Sequence, residues 1–179
     1  RGDVANPDDV EHIFAAADRM GTLTGLVNNA GVVPSRVMRV DDTPLDEVRR
    51  VLDINVTGTL LCSAAAVRRM STRHGGKGGA IVNLASGASK LGGPNAFVIY
   101  AASKGAIDSF TIGLALEVAG EGIRVNAVRP GIIDTEMHAA GGDAGRVTRI
   151  APTLPMPRAG TAEEVAEAIL WLLSDAASY

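Results

Sequence analysis

The sequence predicts a doubly wound α/β domain built on a parallel sheet. Short apolar runs that read as buried strands alternate with longer segments of helical periodicity, which is the order that strand–helix–strand crossovers produce. Each run is closed by Gly, Pro or Asn. Aromatic residues make up only 3% of the 179 residues while glycine numbers 21, so the core must be Ala, Val, Ile and Leu packed closely, with tight backbone approaches.

The elements follow in order. After Asn6-Pro7, acidic residues lead and Val10, Ile13, Phe14 and Ala17 recur at helical spacing until Gly21, which predicts a helix over about 7–20. Residues 23–27 form a short apolar strand, ended by the turn formers Asn28, Asn29 and Gly31. Thr43-Pro44 sets a capping hydroxyl before a proline at the first helical position, and Leu45, Val48, Leu52, Val56, Leu60 and Ala64 carry an apolar stripe through one long helix to about 70. The glycine-rich "RHGGKGG" then leads into a second buried strand, "AIVNLAS". A helix over about 98–119 stops at Gly120 and Gly122, and a third strand, Ile123–Val128, is broken by Pro130. Residues 131–160, rich in Gly and Pro without periodicity, read as a long loop or lid. Thr161 and Glu164 form a capping box that opens a last helix to about 174.

This order makes residues 1–179 a single domain with its ligands at the carboxyl ends of the strands. A net charge of -3 without blocks of like charge gives no basic footprint for nucleic acid and no polybasic membrane patch, so the expected partners are a small-molecule substrate and further copies of the chain. Cys62, the only cysteine, excludes an internal disulfide and sits in an apolar run, as a buried inert thiol in a reducing cytoplasm would. No apolar run approaches the roughly 20 residues of a membrane-spanning helix. The opening "RGDVANPDD" has no signal-peptide pattern, and no metal site is expected.

The chemistry is read from "YAASK". On a helix Tyr100 and Lys104, four apart, share a face. A phenol with a pKa near 10 is a poor base at neutral pH, and a neighbouring ammonium favours its ionised form; a lowering of two or three units would make it a usable general acid or base. The pair alone is a weak signal, more often an amphipathic couple with a solvated lysine. Ser86 ends the second strand, where its hydroxyl could bond a carbonyl or alcohol oxygen, and Asn55 lies inside a helix, where an amide has mediocre propensity.

Together these residues resemble the short-chain dehydrogenase/reductase family over essentially the whole chain. The family's N-N-A-G matches residues 28–31, its helix-borne Asn matches Asn55, its Ser, Tyr and Lys match Ser86, Tyr100 and Lys104, and its P-G-x-I-x-T matches Pro130, Gly131, Ile133 and Thr135. The segment around Tyr100 is most similar to sugar or polyol dehydrogenases of the glucose/ribitol type. Ser86 and Tyr100 are 14 positions apart where 13 is commoner, so one residue must be absorbed between them; Ser89 is the fallback serine.

The resemblance implies hydride transfer between NAD or NADP and a small alcohol or carbonyl. Tyr100 exchanges a proton with the substrate oxygen, Ser86 orients it, Lys104 lowers the tyrosine pKa and holds the nicotinamide ribose, and Asn55 supports a water relay. Asn28, Ala30 and Gly31 border the cofactor, Thr135 with the backbone near Ile133 grips the carboxamide beyond Pro130 and Gly131, and Asp3 contacts the adenine. His138 in the lid is a candidate substrate contact. Compared with the family pattern, the chain lacks the N-terminal glycine-rich phosphate loop and the last strand, which makes the expected sheet incomplete and leaves the choice between NAD and NADP open. Family members pair the helices at 44–70 and 98–119 across a two-fold axis, so a homotetramer is expected. The rival readings are a non-catalytic nucleotide-binding or scaffold protein, motivated by the missing phosphate loop, and an epimerase or dehydratase using the same Tyr and Lys.

Overall fold

The apolar character of the three strand segments fixes how they pair. The computed structural model describes residues 2–179, leaving Arg1 outside. In it, β1 (Gly25–Asn28), β2 (Gly79–Leu84) and β3 (Ile123–Val128) form one sheet in that order. Both pairings are parallel, with Leu26 beside Ile81 and Ile81 beside Val125. The central β2 is buried from Ala80 to Leu84, so side chains on both its faces need cover, as in a doubly wound sheet.

Helices supply that cover. In α1 (Pro7–Asp18) the Asn6 side chain accepts hydrogen bonds from the Asp8 and Asp9 amides, and Val10 and Phe14 are buried. They join Cys62, Ala65, Ala66 and Met70 of α3 (Gly58–Met70), Val118 of α5 (Val98–Val118), and Ile81, Ile123 and Val125 of the sheet in one core. The small Ala65 and Ala66, both fully buried, let α3 approach closely. Val82, fully buried with the opposite parity, calls for cover on the other face, where α8 (Ala162–Leu173) packs on β2 and β3. Its predicted capping box forms between Thr161 and Glu164, and Arg124 on β3 donates to the Leu172 and Ser174 carbonyls at its C-terminal end.

Several boundaries differ from the sequence reading. The first helix stops at Asp18, because the Met20 and Gly21 amides turn back onto the Ala17 carbonyl. Asn28 belongs to β1, paired with Asn83, rather than to the loop. The long helix over 44–70 is divided: α2 (Leu45–Leu52) runs through a π-helical turn, Asp53–Thr57, into α3. A further short helix, α4 (Ala88–Leu91), follows β2. The 131–160 stretch is not wholly irregular, since it holds α6 (Met137–Ala140) and α7 (Arg146–Ile150) and is closed at its base by a parallel bridge between Ile133 and Gly160.

Taken as one span, Leu45–Met70 is 26 residues and contains an 18-residue window with a mean hydropathy of 1.2, which by length and composition would suffice to cross a membrane and which the sequence reading did not anticipate. Here it is a core helix. Its polar Asn55, Thr59 and Ser63 are buried inside the protein, together with Val51, Ala65, Ala66 and Met70.

Candidate active site

The loops leaving the carboxyl ends of the three strands converge on one face of α5. Tyr100, Lys104 and Asp108 succeed one another at four-residue intervals on that helix. Lys104 is 4% exposed, and its Nζ donates to the Leu84 carbonyl, the last residue of β2. A Cβ built on Gly31 would lie 3.5 Å from Lys104 Nζ and 3.4 Å from Asn55 Oδ1, so the loop after β1 borders the same point. Burial lowers the lysine pKa to about 8.

Tyr100 departs from expectation. Its pKa is raised rather than lowered: burial disfavours the phenolate, and a hydrogen bond with the Ser86 side chain opposes this only in part. Lys104 does not approach the phenol oxygen as a counter-ion. Its Nζ lies over the ring, 5.7 Å from the centroid, and bonds the Leu84 carbonyl. The arrangement therefore favours a proton-bearing phenol.

Ser86 follows β2, and its Oγ accepts from the Ala88 amide at 3.1 Å, fixing the entry to α4. Between Ser86 and Tyr100 the chain runs through α4 and then through the left-handed Gly92, Gly93 and Asn95. Ser89, the fallback serine, is turned away: its hydroxyl donates to Asp108 Oδ2 at 2.7 Å.

Asn55 is fully buried in the π-helical turn. Its Oδ1 accepts from the Val32 amide at 2.7 Å, and its Nδ2 donates to the Val32 carbonyl at 2.9 Å and to Ser103 Oγ at 3.0 Å. Ser103 donates in turn to the Tyr100 carbonyl at 2.7 Å. One amide thus ties the loop after β1 to the turn of α5 that carries the tyrosine. A π-helical turn widens the backbone locally, a feature frequent at functional sites.

The other sequence-predicted positions divide. The Asn28 side chain faces the interior, donating to Ser63 Oγ at 2.9 Å and Asn83 Oδ1 at 2.8 Å, while Asn83 donates to Thr111. Ala30 is exposed and Gly31 partly so, which leaves the backbone of this loop accessible. The Pro130 carbonyl accepts from the Gly87 amide at 2.9 Å, joining the second and third loops. Gly131 and Thr135 are exposed, and Ile133 forms the bridge to Gly160. His138 is engaged by the backbone of its own loop. Its Nε2 bonds the Ile133 carbonyl at 3.0 Å and so anchors α6 to that segment. Asp3 is exposed, its carboxylate accepting from the Ala5 amide. Ser103 and Asp108 were missed in the sequence, although Asp108 stands on the same helical face one turn beyond Lys104.

This geometry can be compared with known proteins. A family model described as Enoyl-(Acyl carrier protein) reductase matches residues 1–179. A crystal structure of a short-chain type dehydrogenase/reductase from Mycobacterium marinum superposes with a TM-score of 0.91 at 36% identity, covering 100% of this chain and 69% of that one. The chain belongs to the short-chain dehydrogenase/reductase family. This short-chain dehydrogenase is also 54% identical over 180 residues to the uncharacterized oxidoreductase YgfF of Escherichia coli (strain K12), across 100% of its own length and 72% of the relative's. A NAD+-bound xylitol dehydrogenase structure matches it with a TM-score of 0.85 at 34% identity, over 99% of this chain and 72% of that one. The chain is thus an oxidoreductase of a family that uses NAD(P).

Proposed function

We propose that the protein reversibly reduces a small carbonyl compound to its alcohol, with a sugar or polyol as the substrate class. The observation that carries this reading is Lys104: a buried ammonium with three donors, one of them given to the Leu84 carbonyl, set between Gly31 and the Tyr100 ring. The donors left over suit the hydroxyls of a cofactor ribose, and the accessible backbone at Ala30 and Gly31 leaves room for one. The nicotinamide cofactor supplies or accepts the hydride. All else falls to side chains. Tyr100 gives its proton to the carbonyl oxygen during reduction and recovers it during oxidation, and Ser86 bonds the same oxygen. Asn55, its Nδ2 hydrogens committed to Val32 and Ser103, is a positioning residue that holds the first loop against Tyr100. Asn28 sets the strand beneath that loop; Pro130, Gly131, Ile133 and Thr135 receive the carboxamide, and Asp3 the adenine end.

Nicotinamide absorbance tests the reading in the full chain, with NADH and NADPH in turn against sugars and small ketones, and NAD+ and NADP+ in turn against polyols. Turnover of at least one member is expected with one of the two cofactors. No turnover on any, together with no cofactor binding by fluorescence titration, overturns it.

The same reading includes a cytoplasmic homotetramer. Cys62, the only cysteine, is a buried free thiol, as suits a reducing compartment. Leu60 on α3 and Ile112 and Leu116 on α5 are 39%, 61% and 80% exposed, an apolar surface that self-association would cover. Light scattering at micromolar concentration should give a multiple of the chain mass; a monomer removes this part of the proposal.

A further inference from the structure

Asp108 is 6% exposed, and a carboxylate so placed requires partners. Its partners come from two different loops. Ser89 Oγ donates to Oδ2 at 2.7 Å and Lys90 Nζ lies 3.3 Å from the same oxygen, while Arg129 Nε donates to Oδ1 at 2.7 Å. Ser89 and Lys90 belong to α4, immediately after Ser86; Arg129 immediately precedes Pro130. The two loops also meet directly, through the Gly87 amide and the Pro130 carbonyl at 2.9 Å. The helix that bears Tyr100 and Lys104 thus grips, one turn further on, both loops that complete the site. Burial alone would raise the Asp108 pKa, but the bonds from Ser89, Arg129 and Lys90 outweigh it and hold the carboxyl below its usual range.

We propose that Asp108 is a positioning residue that locks the Ser86 loop and the Pro130–Thr135 loop to the catalytic helix, one carboxylate oxygen serving each. This rests on the reading of the site as a dehydrogenase centre. The two arms have separable consequences. The Oδ2 arm sets where Ser86 stands relative to Tyr100 and therefore acts on the chemical step. The Oδ1 arm sets the strand exit that receives the cofactor and therefore acts on cofactor affinity.

The test compares Ser89→Ala, Arg129→Ala, Asp108→Asn and Asp108→Ala in the full chain, with Arg69→Ala as a control that removes the remote Arg69–Asp18 pair. Ser89→Ala should lower kcat about tenfold with the cofactor Kd little changed, because ångström-scale misplacement of a reacting group carries costs of that order or more. Arg129→Ala should raise the cofactor Kd about tenfold with kcat nearly held, and Asp108→Ala should do both. Asp108→Asn, which keeps the shape and loses the charge, should fall between and stands in if the alanine variant does not fold. A merely structural carboxylate lowers the melting temperature, as Arg69→Ala does, and leaves kcat and Kd at 25 °C alone; that result overturns the proposal. Hydrogen exchange at the Gly87 amide reads the lock without turnover. Faster exchange in Asp108→Asn supports the lock even if no alcohol is a substrate, and unchanged protection overturns it even if the enzyme is active.

Discussion

Tyr100→Phe should lower turnover by about a hundred- to ten-thousandfold, the usual worth of a positioned proton donor, with the cofactor Kd unchanged. The ring keeps its packing and its contact with Lys104, whose Nζ lies over the ring face rather than at the hydroxyl, so only the proton is removed. The pH dependence has a defined sign. Burial raises the phenol pKa above its ordinary value, so the group carries its proton throughout the neutral range. Carbonyl reduction, which needs that proton, should therefore have a kcat/KM that is flat through neutrality and falls as Lys104 loses its charge near pH 8. Alcohol oxidation, which needs the phenolate, should rise into the alkaline range. Steady-state rates in both directions check this, and a Tyr100→Phe variant within tenfold of the parent removes Tyr100 as the donor.

Lys104→Met should abolish turnover and at the same time stabilise the fold at pH 7 by about 2 kcal/mol. Holding the lysine at a pKa of about 8, against about 10.4 in an unfolded chain, costs about 3 kcal/mol when it is charged in both states, and the bond to the Leu84 carbonyl returns about 1 kcal/mol. Below pH 8 that cost is present in full. Between pH 8 and about 10.4 the unfolded chain binds the extra proton, so the parent gains stability as pH rises, and above that window the advantage of methionine is gone. Urea unfolding of both proteins at pH 7 and pH 10.5 measures the difference. A methionine variant less stable than the parent at pH 7 would contradict the assignment of a buried, desolvated ammonium.

The two results bear on how much of the molecule its sequence discloses. β3 is read to the residue, because Gly122 and Pro130 bound a segment, Ile123 to Val128, too short for a helix. α8 is nearly so, since Thr161 and Glu164 signal its start chemically. The π-helical turn around Asn55 was not legible: nothing in "DINVT" breaks the helical period, and the turn is held from outside by Val32 and Ser103. The phenol was misjudged for a related reason. Spacing puts Tyr100 and Lys104 on one face, but whether charge or burial governs their pKa values depends on the packing around them. His138 and Ser89 were weighed by residue type, whereas their roles follow from the acceptors that tertiary structure delivers, the Ile133 carbonyl and the Asp108 carboxylate.

The bond between Asn28 and Asn83 has a consequence for strand alignment. A parallel sheet covered on both faces is poorly protected against slippage, because its strands are apolar at nearly every position and a shift by one exchanges like for like. Such a shift would carry the strand ends about 3.3 Å out of step. Asn28 and Asn83 face each other across β1 and β2, and any other pairing breaks the bond between these two buried amides, at a cost of about 1–3 kcal/mol. The ends they keep level carry the Gly31 loop and the Leu84 carbonyl that receives Lys104. An interior pair that touches no substrate thereby acts as a ruler for the distances on which the chemistry depends.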